Sequence, residues 1–213
     1  AGVYRSTNSG STWSKATTGL ANNEVHALTV GLAGDHASDI IAGTWGGGVF
    51  VSRDSGGSWA ASNIGLINSY VNAVAVSPTG TGQNLFAGTN GGGVFLSRDN
   101  GKSWSAVNIG LLNNYVYALA ANGTSVFAGT AEGVFVSTNN GVSWTASNTG
   151  ITNTDIRSLL SSGTSLVAGT NGGGVFLSAN NGKNWTPAEE GLANKYVTAT
   201  AFVPGALMAG TWG

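Results

Sequence analysis

Short runs of alternating apolar and polar residues, each closed by Gly, Asn or Ser, return five times along the chain. Gly-Gly-Gly-Val-Phe-Leu-Ser stands at Gly91 to Ser97 and at Gly172 to Ser178; Gly46 to Ser52 differs in Val51, and shorter versions are Gly2 to Ser6 and Gly133 to Ser137. Each is followed by a turn and a tryptophan, Trp13, Trp59, Trp104, Trp144 and Trp185, at spacings of 46, 45, 40 and 41. Within residues 114 to 149 the β-branched and aromatic content predicts four strands: Val116 to Ala121, Ser125 to Gly129, Gly133 to Ser137 and Ser143 to Ser147. The turns are placed at Asn122-Gly123 and at Asn139-Asn140-Gly141, residue types that tolerate positive φ.

Four antiparallel strands per repeat of about 40 to 46 residues make a propeller blade. The sequence therefore predicts an all-β, five-bladed β-propeller, one domain over residues 1–213. A parallel β-helix, the rival, needs short near-uniform coils. The first run is a third strand and Leu207 to Thr211 a second strand, so the leftover half-blades are complementary. Joining them would place Trp13 41 positions after Trp185, matching the internal spacing. The expected closure is a composite blade from residues 1–18 and 192–213, which removes two exposed strand edges.

Composition narrows the partners. Charged residues are only 8%, with 8 basic and 9 acidic side chains, and no Lys/Arg stripe could neutralise a row of phosphates. Nucleic acid is excluded as a partner on that ground. No apolar run reaches the roughly 18 residues of a membrane-spanning helix. Cysteine is absent, which removes disulfides, thiolate metal sites and thiol nucleophiles. The Gly-, Asn-, Ser- and Thr-rich balance points to a secreted or cell-surface bacterial protein, expected to be a monomer.

The turn between third and fourth strands reads Ser-x-Asp/Asn-x-Gly-x-Ser/Thr/Asn-Trp five times. It resembles the Asp-box, or bacterial-neuraminidase repeat, of sialidases, sortilin-type receptors, photosystem II assembly factors and repeat-rich secreted bacterial propellers. The resemblance covers the whole chain. Asp54 and Asp99 fit its acidic position, and Asn8, Asn139 and Asn180 replace it. The residues themselves give a structural reading: Asp or Asn accepts backbone N–H groups of the turn, and Trp covers the hairpin and packs between blades. The resemblance implies that ligands bind on the opposite face.

That face carries two sets of connections. From strand two to three come Trp45, Asn90, Ala131-Glu132, Asn171 and Trp212. From strand four to the next strand one comes Gly-Leu-x-Asn-x or a close variant, then Glu24, Tyr70, Tyr115, Asp155 or Tyr196; two places later stand His26, Asn72, Tyr117, Arg157 and Thr198. Aromatic rings can cover the apolar face of a pyranose while amides bond its hydroxyls, so Trp45, Trp212, Asn90, Asn171 and the tyrosines are the candidate ligand residues. The alternative for the rings is that they plug the mouth and cover strand ends.

Catalysis is tested by counting. The resemblance to sialidases implies three arginines on a substrate carboxylate, but Arg5, Arg53 and Arg98 sit in or beside the Asp-box turns and leave only Arg157. A carboxylate pair could draw on Glu24, Glu132 and Asp155, and solvated positions explain those equally. His26 shares a strand face with Glu24 and His36 sits between Asp35 and Asp39, but two separated histidines make a weak metal signal and read as solvated loop or strand-end residues, and the triple glycines precede strands rather than helices, unlike a phosphate loop. No catalytic residue, metal or cofactor is expected. The leading expectation is a non-catalytic binding or scaffold propeller, with carbohydrate as its ligand; a protein-protein assembly propeller and a glycoside hydrolase are the alternatives. Repeats this similar also fit recent duplication or design, with no evolved ligand.

Overall fold

The computed structural model describes residues 1–31, 39–80 and 82–212; His36 lies outside them. The described chain is all-β and divides into two compact units, Ala1–Ala106 and Val107–Gly213.

Among the described residues the first unit holds ten strands. β1 (Tyr4–Arg5) and β2 (Ser14–Lys15) form a two-stranded sheet; β3 (Val25–Val30), β4 (Ile40–Thr44), β5 (Gly48–Ser52) and β6 (Ala60–Ala61) form one four-stranded antiparallel blade. β7 (Val71–Pro78), β8 (Gln83–Thr89), β9 (Gly93–Ser97) and β10 (Ser105–Ala106) form another. In the second unit the blades are β11 (Val116–Asn122), β12 (Ser125–Thr130), β13 (Gly133–Ser137), β14 (Thr145–Ala146) and β15 (Ile156–Ser162), β16 (Ser165–Thr170), β17 (Val175–Ser178), β18 (Thr186–Pro187). β19 (Val197–Val203) and β20 (Ala206–Thr211) pair as a two-stranded sheet.

Four complete blades and two half-blades thus match the predicted repeat. The four-strand reading of residues 114–149 holds with two local shifts. Asn122 pairs with Ser125, so the first turn falls on Gly123-Thr124, one residue later than expected, and the fourth strand shrinks to Thr145–Ala146.

β1–β2 belongs to the first unit and β19–β20 to the second, each paired as a two-stranded sheet. In every complete blade a tight turn of the same chain links strand two to strand three and fixes their register locally.

The middle strands of the complete blades are the most buried. β8 and β9 are buried along their whole length. In the first unit Ile41, Val49, Val51, Val71, Val74, Leu85, Phe95 and Trp104 form one cluster across two blades; in the second, Phe127, Val134, Ile156, Leu166, Phe176 and Trp185 form its counterpart. Glycine in the Ala-Gly-Thr of strand two sets how closely the next blade approaches. A Cβ on Gly43 would stand 2.7 Å from Val71 Cγ1, and one on Gly129 2.6 Å from Ile156 Cγ2.

Candidate functional site

The Asp-box turns are assembled as the residue types require. Ser52 Oγ donates to Asp54 Oδ1 (2.8 Å), the Ser58 amide donates to the same oxygen (2.8 Å), and Ser58 Oγ donates to Oδ2 (2.7 Å). Asn8 and Asn139 reproduce this with Oδ1 accepting and Nδ2 donating to Thr12 and Ser143, and Asn180 Oδ1 accepts from Ser178 Oγ and the Asn184 amide. The residue before each box glycine also turns left-handed: Ser9, Ser55, Asn100, Asn140 and Asn181 have φ of 56 to 58°. Hydrogen bonds from Ser58 hold the Asp54 carboxyl far below the ordinary carboxylate range. Those from Ser103 lead the causes that bring Asp99 down to about 2, against some opposing burial.

Four of the five tryptophans do what the sequence expected. Trp59, Trp104, Trp144 and Trp185 are 3 to 5% exposed. Each indole N–H donates to a backbone carbonyl of the preceding blade or half-blade, at Ala16, Ser62, Val107 and Ser147. Trp13 differs: it is 64% exposed. These groups serve the scaffold, and the ligand question moves to the other end of the blades.

At that end the structure brings the two predicted registers together in pairs. The Trp45 amide donates to Glu24 O, Asn90 to Tyr70 O, Asn171 to Asp155 O and Trp212 to Tyr196 O, each at 2.9 Å. The strut that sequence reasoning missed is the asparagine shared by every four-to-one connection. Asn22 Oδ1 accepts from the Glu24 amide while its Nδ2 donates to Trp45 O; Asn68, Asn153 and Asn194 repeat the arrangement. Its recurrence in five repeats was the available signal. A second missed feature lies one step further: all five first strands carry a β-bulge where His26, Asn72, Tyr117, Arg157 and Thr198 stand. A bulge leaves its extra residue out of the ladder and re-aims its side chain.

In the first unit these devices gather four predicted residues. His26 stacks on Trp45 with centroids 5.2 Å apart, and Trp45 meets Tyr70 edge-on at 5.1 Å. Glu24 Oε1 lies 3.6 Å from His26 Nε2. Trp45 is half-buried, while Tyr70 remains 46% exposed.

The second unit gathers a charged group instead. Asp155 Oδ2 accepts from Arg157 Nη2 (2.8 Å) and Asn171 Nδ2 (2.7 Å), and the Arg157 guanidinium lies 4.0 Å above the Tyr117 ring. Asp155 Oδ1 and Arg157 Nε are buried without a hydrogen-bond partner, a costly condition. Tyr115 (48%), Tyr196 (50%) and Trp212 (74%) are exposed beside the same connections. Asn90 and Tyr70 share a backbone bond but no ring or charge partner comes with Asn90. Glu132 donates its amide to Thr130 Oγ1, a turn contact. Among the described residues no three His, Asp or Glu side chains come together as a metal set.

Several solved structures share this fold. An ancestral GH74 enzyme is 25% identical with a TM-score of 0.69, over 98% of this chain and 29% of that one. YCF48 bound to D1 peptide is 20% identical with a TM-score of 0.65, over 87% of this chain and 62% of that one. The GH74 xyloglucanase from Xanthomonas campestris is 14% identical with a TM-score of 0.64, over 93% of this chain and 34% of that one. The chain therefore spans less than a third of the first of these. No curated protein matches it. Residues 73–200 match the model of the DUF6242 beta propeller domain, and with that match covering more than half its length the chain belongs to the DUF6242 beta propeller family.

Proposed function

We propose that the propeller is a non-catalytic carbohydrate-binding module whose ligand is a neutral β-glucan chain of the xyloglucan type. The observation that carries this reading is the Trp45 cluster. Its indole is fixed by His26 and Tyr70 before any ligand arrives, so little side-chain entropy remains to be lost on binding. The half-exposed Tyr70 supplies an aromatic surface on a protein with few charges. Trp212 and Tyr196 offer a second aromatic pair, and the partly exposed Asp155–Arg157 pair offers polar groups for sugar hydroxyls. Repeated weak sites on one polymer raise avidity without new contacts. The xyloglucanase among the structural neighbours supports the choice of sugar.

Asp155 is engaged as an acceptor from two N–H donors, which suits binding more than proton donation. Calorimetric titration with xyloglucan oligosaccharides tests the reading. Trp45→Ala is expected to lower affinity at least about tenfold, the ~1.4 kcal/mol of one well-placed aromatic contact. Unchanged affinity in that variant, no binding by the wild type, or hydrolysis of the oligosaccharide would each overturn it. A protein-binding propeller is the second reading, favoured by the likeness to YCF48 bound to D1 peptide.

A further inference from the structure

The two registers that hold Glu24 and His26 in the first unit hold Asp155 and Arg157 in the second, and the two pairs are built alike. In each, a carboxylate stands just before a first strand and a nitrogen side chain two places later, where the β-bulge re-aims it. In each, that nitrogen side chain lies over an aromatic ring. Arg157 stands 4.0 Å above Tyr117, and His26 stacks on Trp45 with 5.2 Å between centroids and the planes 21° apart.

The difference is charge. A guanidinium is always a cation, and Arg157 is closed on its carboxylate, Nη2 to Asp155 Oδ2 at 2.8 Å. His26 Nε2 stops 3.6 Å from Glu24 Oε1, beyond hydrogen-bonding distance. The first unit thus holds the same device with its cation left conditional.

A proton on the imidazole completes it. The 3.6 Å approach then becomes a charge-assisted hydrogen bond to the carboxylate, and the stack on the indole gains a cation–π attraction. Imidazole is the side chain type that changes charge between about pH 5 and 8. The side chains of His26 and Glu24 are 36% and 63% exposed, so both exchange protons freely with water. Of the described groups set around His26 in this unit, Glu24 is the charged one. Trp45 comes from the β4–β5 turn and meets Tyr70 edge-on, the Asn22 amide bonds Trp45 O, and the bulge residue of the neighbouring first strand is the neutral Asn72.

We infer that His26 is a proton-operated clamp on Trp45: protonated, it is pinned between Glu24 and the indole and holds that ring in place, whereas neutral it is held by ring contact alone. The clamp is a property of the free protein. Its consequence rests on the reading of Trp45 as a sugar platform: xyloglucan oligosaccharides bind more tightly as pH falls through the imidazole range, by up to about fivefold, the size of one exposed cation–π contact.

Two measurements test the clamp and its consequence separately. Tryptophan fluorescence of the free protein reads the clamp, because a charged imidazole against an indole quenches its emission. The Trp45 contribution, taken as the difference from a matching Trp45→Phe variant, should fall in one step as pH is lowered across that range. His26→Phe keeps a ring on the indole but has no proton to take up, so its difference signal should be flat, which a purely structural role for His26 does not produce. Should that variant fail to fold, His26→Gln, uncharged like the Asn72 of the neighbouring blade, gives the same flat line. Glu24→Gln should shrink the step. A wild-type signal independent of pH, a step that persists without His26, or a step untouched by Glu24→Gln overturns the inference.

Calorimetric titration with xyloglucan oligosaccharides reads the consequence. Wild-type affinity should rise toward the acid end and be flat in His26→Phe, with proton uptake on binding seen as a dependence of the heat on the buffer's ionisation enthalpy. Affinity that is flat in the wild type overturns the coupling of clamp to ligand. Binding at no pH, with the fluorescence step present, sinks the carbohydrate reading and leaves the clamp standing.

Discussion

Whether a box carries a carboxylate or an amide decides how the protein responds to acid. Asp99 is lowered from 3.8 to about 2 by its hydrogen bonds, and Asp54 moves further in the same direction. A carboxyl whose folded value is depressed contributes stability that is present above its unfolded value and is lost as pH falls through the folded one. The loss therefore runs from about pH 4 down to about pH 2. Asn139 shows that an amide can occupy the position, donating from Nδ2 to Ser143 Oγ. Asp54→Asn with Asp99→Asn should flatten the acid limb of urea midpoints measured across that window, and identical limbs would refute the account. These five box residues were legible because turn chemistry is local. The pairing of His26 with Trp45, or of Arg157 with Tyr117, was not: each pair is separated by 19 or more positions, and a bulge aims the first-strand member.

Elements were legible to the extent that their determinants are short-range. Alternation placed three strands of the third blade within about one residue, and Asn139-Asn140-Gly141 forms the predicted turn, with Asn140 at φ 56° and Gly141 at φ 83°. The fourth strand came out shorter because its outer edge has no partner to extend the ladder. The glycines that end each blade connection were read only as turns. Their second role, seating the next tryptophan carbonyl, needs two blades at once. Gly110 and Gly191 share that backbone conformation and differ only in what stands opposite. Alanine at Gly191 should cost roughly 1 kcal/mol of left-handed strain. At Gly110 the collision with the Trp144 carbonyl should add about 1–3 kcal/mol of overpacking. Thermal unfolding of the two variants at high dilution measures the difference, and equal losses would mean the carbonyl contact contributes nothing.

For the molecule as a whole the governing fact is how little charge it carries, 8 basic against 9 acidic side chains in 213 residues. Composition made that legible at once. What composition left open was where the few charges go. Arg157 and Asp155 neutralise each other beneath the Tyr117 ring, and Lys195 sits 3.0 Å from Glu189, so neither cation is offered to solvent as a free charge. On the proposed function, recognition at these blade ends rests on aromatic faces and neutral hydrogen bonds. Salt at 0.1 M screens charges beyond a Debye length of about 10 Å and leaves stacking and hydroxyl contacts nearly untouched. Affinity for xyloglucan oligosaccharides should accordingly change less than about twofold from low salt to roughly 0.5 M NaCl. A steep fall would show that the Asp155–Arg157 pair opens and binds by charge, and Arg157→Gln would then abolish the salt dependence while leaving the Trp45 contribution in place.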